Sequence, residues 1–128
     1  MAVILLDTSV LIALRKSNDS HHQAAVAALQ GFQGEIAISA ITLTEALIAP
    51  LKVAGAKGKA VALKVTEAVD QIFDFTTEIA IDAASIRVNT GLTLADSMIA
   101  ATASVHAAQL WTCDAKLAKA APGSVLIT

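Results

Sequence analysis

A chain of 128 residues is long enough to bury a core and fits one domain. It is 55% apolar and 16% charged, with a net charge of −2, which does not announce a surface for nucleic acid. No run reaches the roughly 20 apolar residues of a membrane span. Ala2–Leu6 ends at Asp7 with no basic residue before it, too short for a signal peptide. One cysteine, Cys113, offers no disulfide framework, and no Cys/His group has zinc spacing. A cytoplasmic protein with no membrane association is expected.

In chain order, Val3–Leu6 reads as a buried strand and Ser9–Lys16 as a short helix. His21–Gln30 has Ala25, Ala28 and Leu29 at helical spacing and stops at Gly31 and Gly34. Ile36–Ser39 reads as a second strand, and Leu43–Ala49 as a helix closed by Pro50. Lys57–Gln71 follows as a helix, then a short strand at Ile72–Phe75. Thr77–Asn89 and Leu94–Ala107 read as helices divided near Gly91. Gln109–Cys113 is a strand, Ala115–Ala120 a short helix, and Val125–Ile127 a last strand after Pro122–Gly123. Abundant alanine supports the helices. Strands alternating with helices predict an α/β fold, a parallel sheet covered on both faces. No repeat or linker divides residues 1–128, so one domain is expected.

Four acids fall at equivalent places. Asp7 ends the first strand, Glu45 opens the helix after the second, and Asp114 follows Gln109–Cys113 directly. Asp96 lies in the first turn of the helix before that strand. Right-handed crossovers bring strand ends to one edge of such a sheet, where ligands bind. Each acid alone has a structural explanation. Asp7 and Asp114 could be N-caps, and Thr42–Glu45 and Thr93–Asp96 fit the capping-box spacing. Together they would form a crowded carboxylate cluster, which raises pKa values unless a cation intervenes. All-oxygen donors suit Mg²⁺ or Mn²⁺ rather than zinc. Cys113 lies in an apolar strand, where a thiolate is disfavoured, so it reads as a core residue. His21 and His22 read as solvated, His106 as remote from the acids, and Trp111 as core.

The triplet Asp7-Thr8-Ser9, Thr44-Glu45, the run Leu94-Ala95-Asp96-Ser97-Met98-Ile99-Ala100-Ala101-Thr102-Ala103 and Leu110-Trp111-Thr112-Cys113-Asp114 resemble the PIN-domain family. The likeness runs over the whole chain and is greatest to the toxin nucleases of VapBC-type toxin–antitoxin pairs. It implies a three-layer fold with a five-stranded parallel sheet flanked by helices, and endonucleolytic cleavage of RNA. Asp7, Glu45, Asp96 and Asp114 would be the acidic quartet holding Mg²⁺ or Mn²⁺, with Thr112 and, more weakly, Ser9 as bracing hydroxyls. The sequence departs from the family pattern at Cys113, where many relatives carry a basic residue, and at Leu117, where many carry phenylalanine.

The resemblance implies a homodimer silenced by a small antitoxin, and the apolar composition also suggests an interface. The expected antitoxin groove lies between the helix after Asp7 and Leu43–Ala49, lined by Leu11, Ile12, Leu47 and Ile48. The alternative is a PIN-like fold that binds RNA or protein without catalysis. A phosphorelay receiver fits poorly because Asp7 is followed by Thr8 rather than a second acid, and a haloacid-dehalogenase-type phosphatase because Ser9 stands at its second aspartate.

Overall fold

The computed structural model describes residues 2–128. Five strands form one parallel sheet: β1 (Val3–Leu6), β2 (Glu35–Ser39), β3 (Gln71–Phe73), β4 (Gln109–Thr112) and β5 (Val125–Leu126), in the order β3-β2-β1-β4-β5. The helices are α1 (Thr8–Arg15), α2 (His22–Gln30), α3 (Ala40–Ala54), α4 (Ala60–Ala68), α5 (Thr77–Thr90), α6 (Leu94–Val105) and α7 (Ala115–Ala120), with a 3-10 turn at Gly55–Lys59.

Period-two alternation divides the central strand between two cores. Ile4 and Leu6 face a cluster with Val10, Leu11, Ala25, Ile38, Val65 and Trp111. Leu5 faces the other way, onto Leu92, Ile99, Leu110 and Leu117. The sheet therefore lies between α1, α2 and α4 on one side and α6 and α7 on the other. Helix α5 packs behind α6, with Ile79 and Ala83 against Ala101. The expected architecture of a five-stranded parallel sheet flanked by helices is the one observed. No helix among the described residues is long and apolar enough to cross a membrane.

Two predicted helices were wrongly bounded. The Leu43–Ala49 helix starts earlier, because the Ser39 hydroxyl accepts from Ile41 N at 3.0 Å and caps it at the end of β2. It also runs through Pro50 to Ala54. One backbone bond is lost at the proline, but packing against α1 and the 3-10 turn keeps the helix continuous. Gly58 makes that turn possible, since a Cβ there would lie 2.5 Å from the Pro50 carbonyl oxygen. The predicted Lys57–Gln71 helix is instead the 3-10 turn followed by α4, which stops at Ala68. Asp70 is drawn into the sheet: its amide donates to Ile36 O at 2.8 Å and its carboxylate accepts from Ile36 N at 2.8 Å.

Candidate active site

At the carboxyl edge of the sheet, β1 and β4 are laced together by hydroxyls. Asp7 N donates to Trp111 O at 2.9 Å, extending the β1–β4 pairing by one residue. Asp7 is only 4% exposed. It stands at the N-cap position of α1 yet makes no capping hydrogen bond. Its Oδ2 accepts instead from Thr112 Oγ1 at 2.8 Å and from Ser9 Oγ at 2.7 Å. Each hydroxyl also accepts a backbone amide: Ser9 from Cys113 N at 3.0 Å, Thr112 from Asp114 N at 3.0 Å. A buried carboxylate needs such donors. Thr112 and Ser9, predicted as braces, lie against Asp7.

Glu45 does not open a helix, as its sequence position suggested; it lies in the second turn of α3, which Ser39 caps. Its Oε1 accepts from Thr8 Oγ1 at 2.6 Å, and the buried Thr42 hydroxyl lies 3.1 Å from Thr8. Thr8 had drawn no role from the sequence beyond its place in the Asp7-Thr8-Ser9 triplet. The signal was present, a hydroxyl beside an acid, but its partner lies 37 residues away. Asp96 lies in the first turn of α6, where the Thr93 hydroxyl accepts its backbone N–H at 3.2 Å. Asp114 does act as a cap, its Oδ1 accepting Lys116 N at 2.9 Å and Leu117 N at 3.4 Å.

The capping explanation thus holds for Asp114, fails for the side chains of Asp7 and Glu45, and for Asp96 accounts only for Thr93. The acids share an electrostatic environment. Burial pushes the Asp96 carboxyl above its ordinary range, and the charges of Asp7, Asp114 and Glu45 push the same way, against a lowering hydrogen bond with Thr93. Even so, no group of three or more His, Cys, Asp and Glu side chains among the described residues is gathered tightly enough to hold a metal ion. These two observations differ in kind. Charge acts on the Asp96 carboxyl over a distance, whereas a tight metal cage needs three side chains to converge. Mg²⁺ is commonly held by one or two carboxylates, completed by water and phosphate oxygens, so the all-oxygen donor set fits it without a tight triad.

Burial also pushes the Cys113 thiol up, consistent with an inert packing residue. Trp111 is core, 7% exposed and edge-on to Phe32. His22, expected to be solvated, is half-buried, and its Nδ1 pairs with Ala13 O at 2.7 Å. His106 stacks on Phe73. A groove of about 140 Å³ does run between α1 and α3, lined by Leu11, Ile12, Ala46, Ala49 and Pro50. Leu47 and Ile48 do not line it, because the 46/49/50 stripe of α3 faces α1 and turns them aside.

The model of the family described as PIN domain matches residues 4–122. The chain belongs to the PIN domain family. Among solved structures, this PIN chain is similar to one in a toxin–antitoxin complex from Klebsiella pneumoniae, with 29% identity over 98% of each chain and a TM-score of 0.77. It is similar to FitAcB from Neisseria gonorrhoeae, with 27% identity, 96% of each chain and a TM-score of 0.76. VapC20 of Mycobacterium tuberculosis, a sarcin-ricin loop cleaving toxin, shares the fold at 20% identity, covering 95% of this chain and 96% of that one, TM-score 0.77. No protein with a curated description matches in sequence.

Proposed function

We propose that this PIN chain is a divalent-metal-dependent endoribonuclease, that residues 1–128 act as one PIN domain, and that it is the toxin of a toxin–antitoxin pair. The observation that carries the nuclease reading is Asp7, a buried carboxylate freed from capping, held by two hydroxyls and near enough for its charge to act on Asp96. Asp7 and Asp96 would hold Mg²⁺ or Mn²⁺ directly, with Asp114 and Glu45 acting through water. The ion would supply Lewis acidity toward a phosphate oxygen and lower the pKa of water. Thr112 and Ser9 fix the Asp7 carboxylate, and Thr8 fixes Glu45, so the acids are oriented before a strand arrives. Single-stranded or looped RNA is the substrate proposed, because an unpaired backbone reaches such an open cleft more easily than a duplex.

The toxin reading is supported by the similarity to a chain of the Klebsiella toxin–antitoxin complex. The α1–α3 groove, with Arg15, Lys16 and Glu45 at its edges, suits an amphipathic helix of a small antitoxin. An arginine from that partner could meet the acids and compete with the metal. Homodimerisation is proposed from the apolar composition and from the exposed Ile81 and Val88, seven residues apart on α5. A second reading, a binding module without catalysis, draws on the loose spacing of the acids.

A mixed RNA pool incubated with the protein separates these readings on one gel. Cleavage with Mg²⁺ or Mn²⁺ that stops in excess EDTA is the expected result. Undiminished cleavage in chelator ends the metal mechanism, and intact RNA in the presence of metal favours the binding module.

A further inference from the structure

The nine Lys and Arg residues of this slightly acidic chain are scattered, yet two of them share one concave surface beside the acids. Lys116 and Lys119 of α7 line a depression of about 400 Å³ together with Thr90, Leu92 and Ala120. One wall is the α5–α6 connection, which leads through Leu92 and Thr93 to Asp96 within a turn of α6. The other wall is α7, which Asp114 caps through the amide of Lys116 itself. The depression therefore lies between the segments that carry two of the four acids. The Leu92 wall is fixed, since Leu92 is buried and its carbonyl accepts a hydrogen bond from the Arg87 guanidinium.

The polar groups here are unequally free. Thr90 Oγ1 already donates to Ile86 O at 2.6 Å and accepts from Leu92 N at 3.2 Å. The lysines are exposed, and among the described residues neither ammonium has a carboxylate partner. Two unpaired cations over a shallow concavity attract a polyanion, and an acidic cleft needs such cations nearby if it is to hold a phosphodiester.

Building on the nuclease reading, we propose that Lys116 and Lys119 form a backbone-phosphate subsite, where an RNA strand lies as it leaves the Asp96–Asp114 side of the cleft. The contacts are to phosphate, so they position the strand without reading its sequence.

The test is the salt dependence of binding of a fluorescent single-stranded oligouridylate to the cleavage-blocked variant D96N, with and without K116A/K119A. Each phosphate contact contributes about 0.7 to the slope of log affinity against log salt for a single strand. Loss of two contacts should make the slope shallower by about 1.4, so between about 50 and 200 mM salt the parent loses about sevenfold more affinity than the variant. K116R/K119R should restore the parent slope, and K57A/K59A, which removes equal charge from the 3-10 turn, should leave it intact. An unchanged slope in K116A/K119A overturns the subsite, as does an equal effect from K57A/K59A or a lack of any RNA binding at low salt. Cleavage by the wild type with an unchanged slope removes the subsite and leaves the nuclease reading standing. A lysine-dependent slope with no cleavage removes the nuclease and leaves the subsite.

Discussion

Replacing Thr112 with valine isolates the hydroxyl that ties β4 to Asp7. The side chains are nearly isosteric and Thr112 is fully buried, so no cavity opens. Two close hydrogen bonds go, together with a long 3.5 Å contact to Ser9 Oγ. Oγ1 donates to the Asp7 carboxylate at 2.8 Å, and a hydrogen bond to a charged group contributes about 1.5–3 kcal/mol. It also accepts Asp114 N at 3.0 Å, a neutral bond contributing about 1 kcal/mol. The expected loss is about 3 kcal/mol, or about 10 °C in Tm for a chain of this length. Urea unfolding followed by Trp111 fluorescence measures it, because that buried indole adjoins the substitution. T112S should keep most of the stability. A cycle of T112V with D7N should give about 1–2 kcal/mol of coupling, because the bond to a neutral amide is weaker. A T112V loss below about 0.5 kcal/mol with no coupling to Asp7 would refute the bracing argument.

D96N should remain folded and lose about a hundredfold or more in cleavage, the scale of a lost charge contact to a catalytic metal. Because the Asp96 pKa is raised above its ordinary 3.8, the folded state binds that proton more tightly than the unfolded chain. Its contribution therefore weakens the fold at neutral pH, and the handicap fades as pH falls through the folded pKa. In EDTA, D96N should accordingly be more stable than the wild type at pH 7, with the difference closing in acid; equal stabilities at pH 7 would contradict the crowding. Gly58→Ala places a methyl 2.5 Å from Pro50 O and 2.8 Å from Leu51 N, both backbone, so a loss of about 1–3 kcal/mol is expected in thermal melts. Light scattering at tens of micromolar should give twice the monomer mass, and a monomer there would count against the apolar interface.

The strands were legible because two of the sheet's neighbours, β1 and β4, are apolar runs that end at an acid or a hydroxyl. The cores on either side follow from alternation, as Ile4 and Leu6 against Leu5 illustrate. The approximate positions of the acids along the chain were equally legible. What stayed hidden depended on contacts distant in sequence. Pro50 carries a strong stop signal, yet α3 continues, since the local penalty is outweighed by packing against α1 and the turn at Gly58. Glu45 is steadied by Thr8, which no spacing rule connects to it. The groove stripe at Ala46, Ala49 and Pro50 was missed for the same reason: with the helix bounded too short, Leu47 and Ile48 looked like its inner face.

Net charge was the least informative quantity, and the structure explains why. A total of −2 averages a carboxylate edge with lysines elsewhere on the surface, so it says nothing about the field a ligand meets. The charges of Asp7, Asp114 and Glu45 all act on the Asp96 carboxyl, whereas the other seven acids have no part in that shift. Exposed charges more than about 8–10 Å apart are largely screened at ordinary salt, so the sum over the chain is a poor guide to any one place on it. Local order matters more than the sum: under the proposed nuclease reading a cation would meet the buried Asp7, and a phosphodiester would need positive charge beside the acids rather than among them. Lys116 and Lys119 lie on the helix that Asp114 caps, which places them on the Asp114 side of the acids. A sequence with the same totals but those lysines moved to α4 would keep its net charge and would lose the basic concavity beside Asp114, leaving Arg15 and Lys16 by Glu45 as the cations of the other groove.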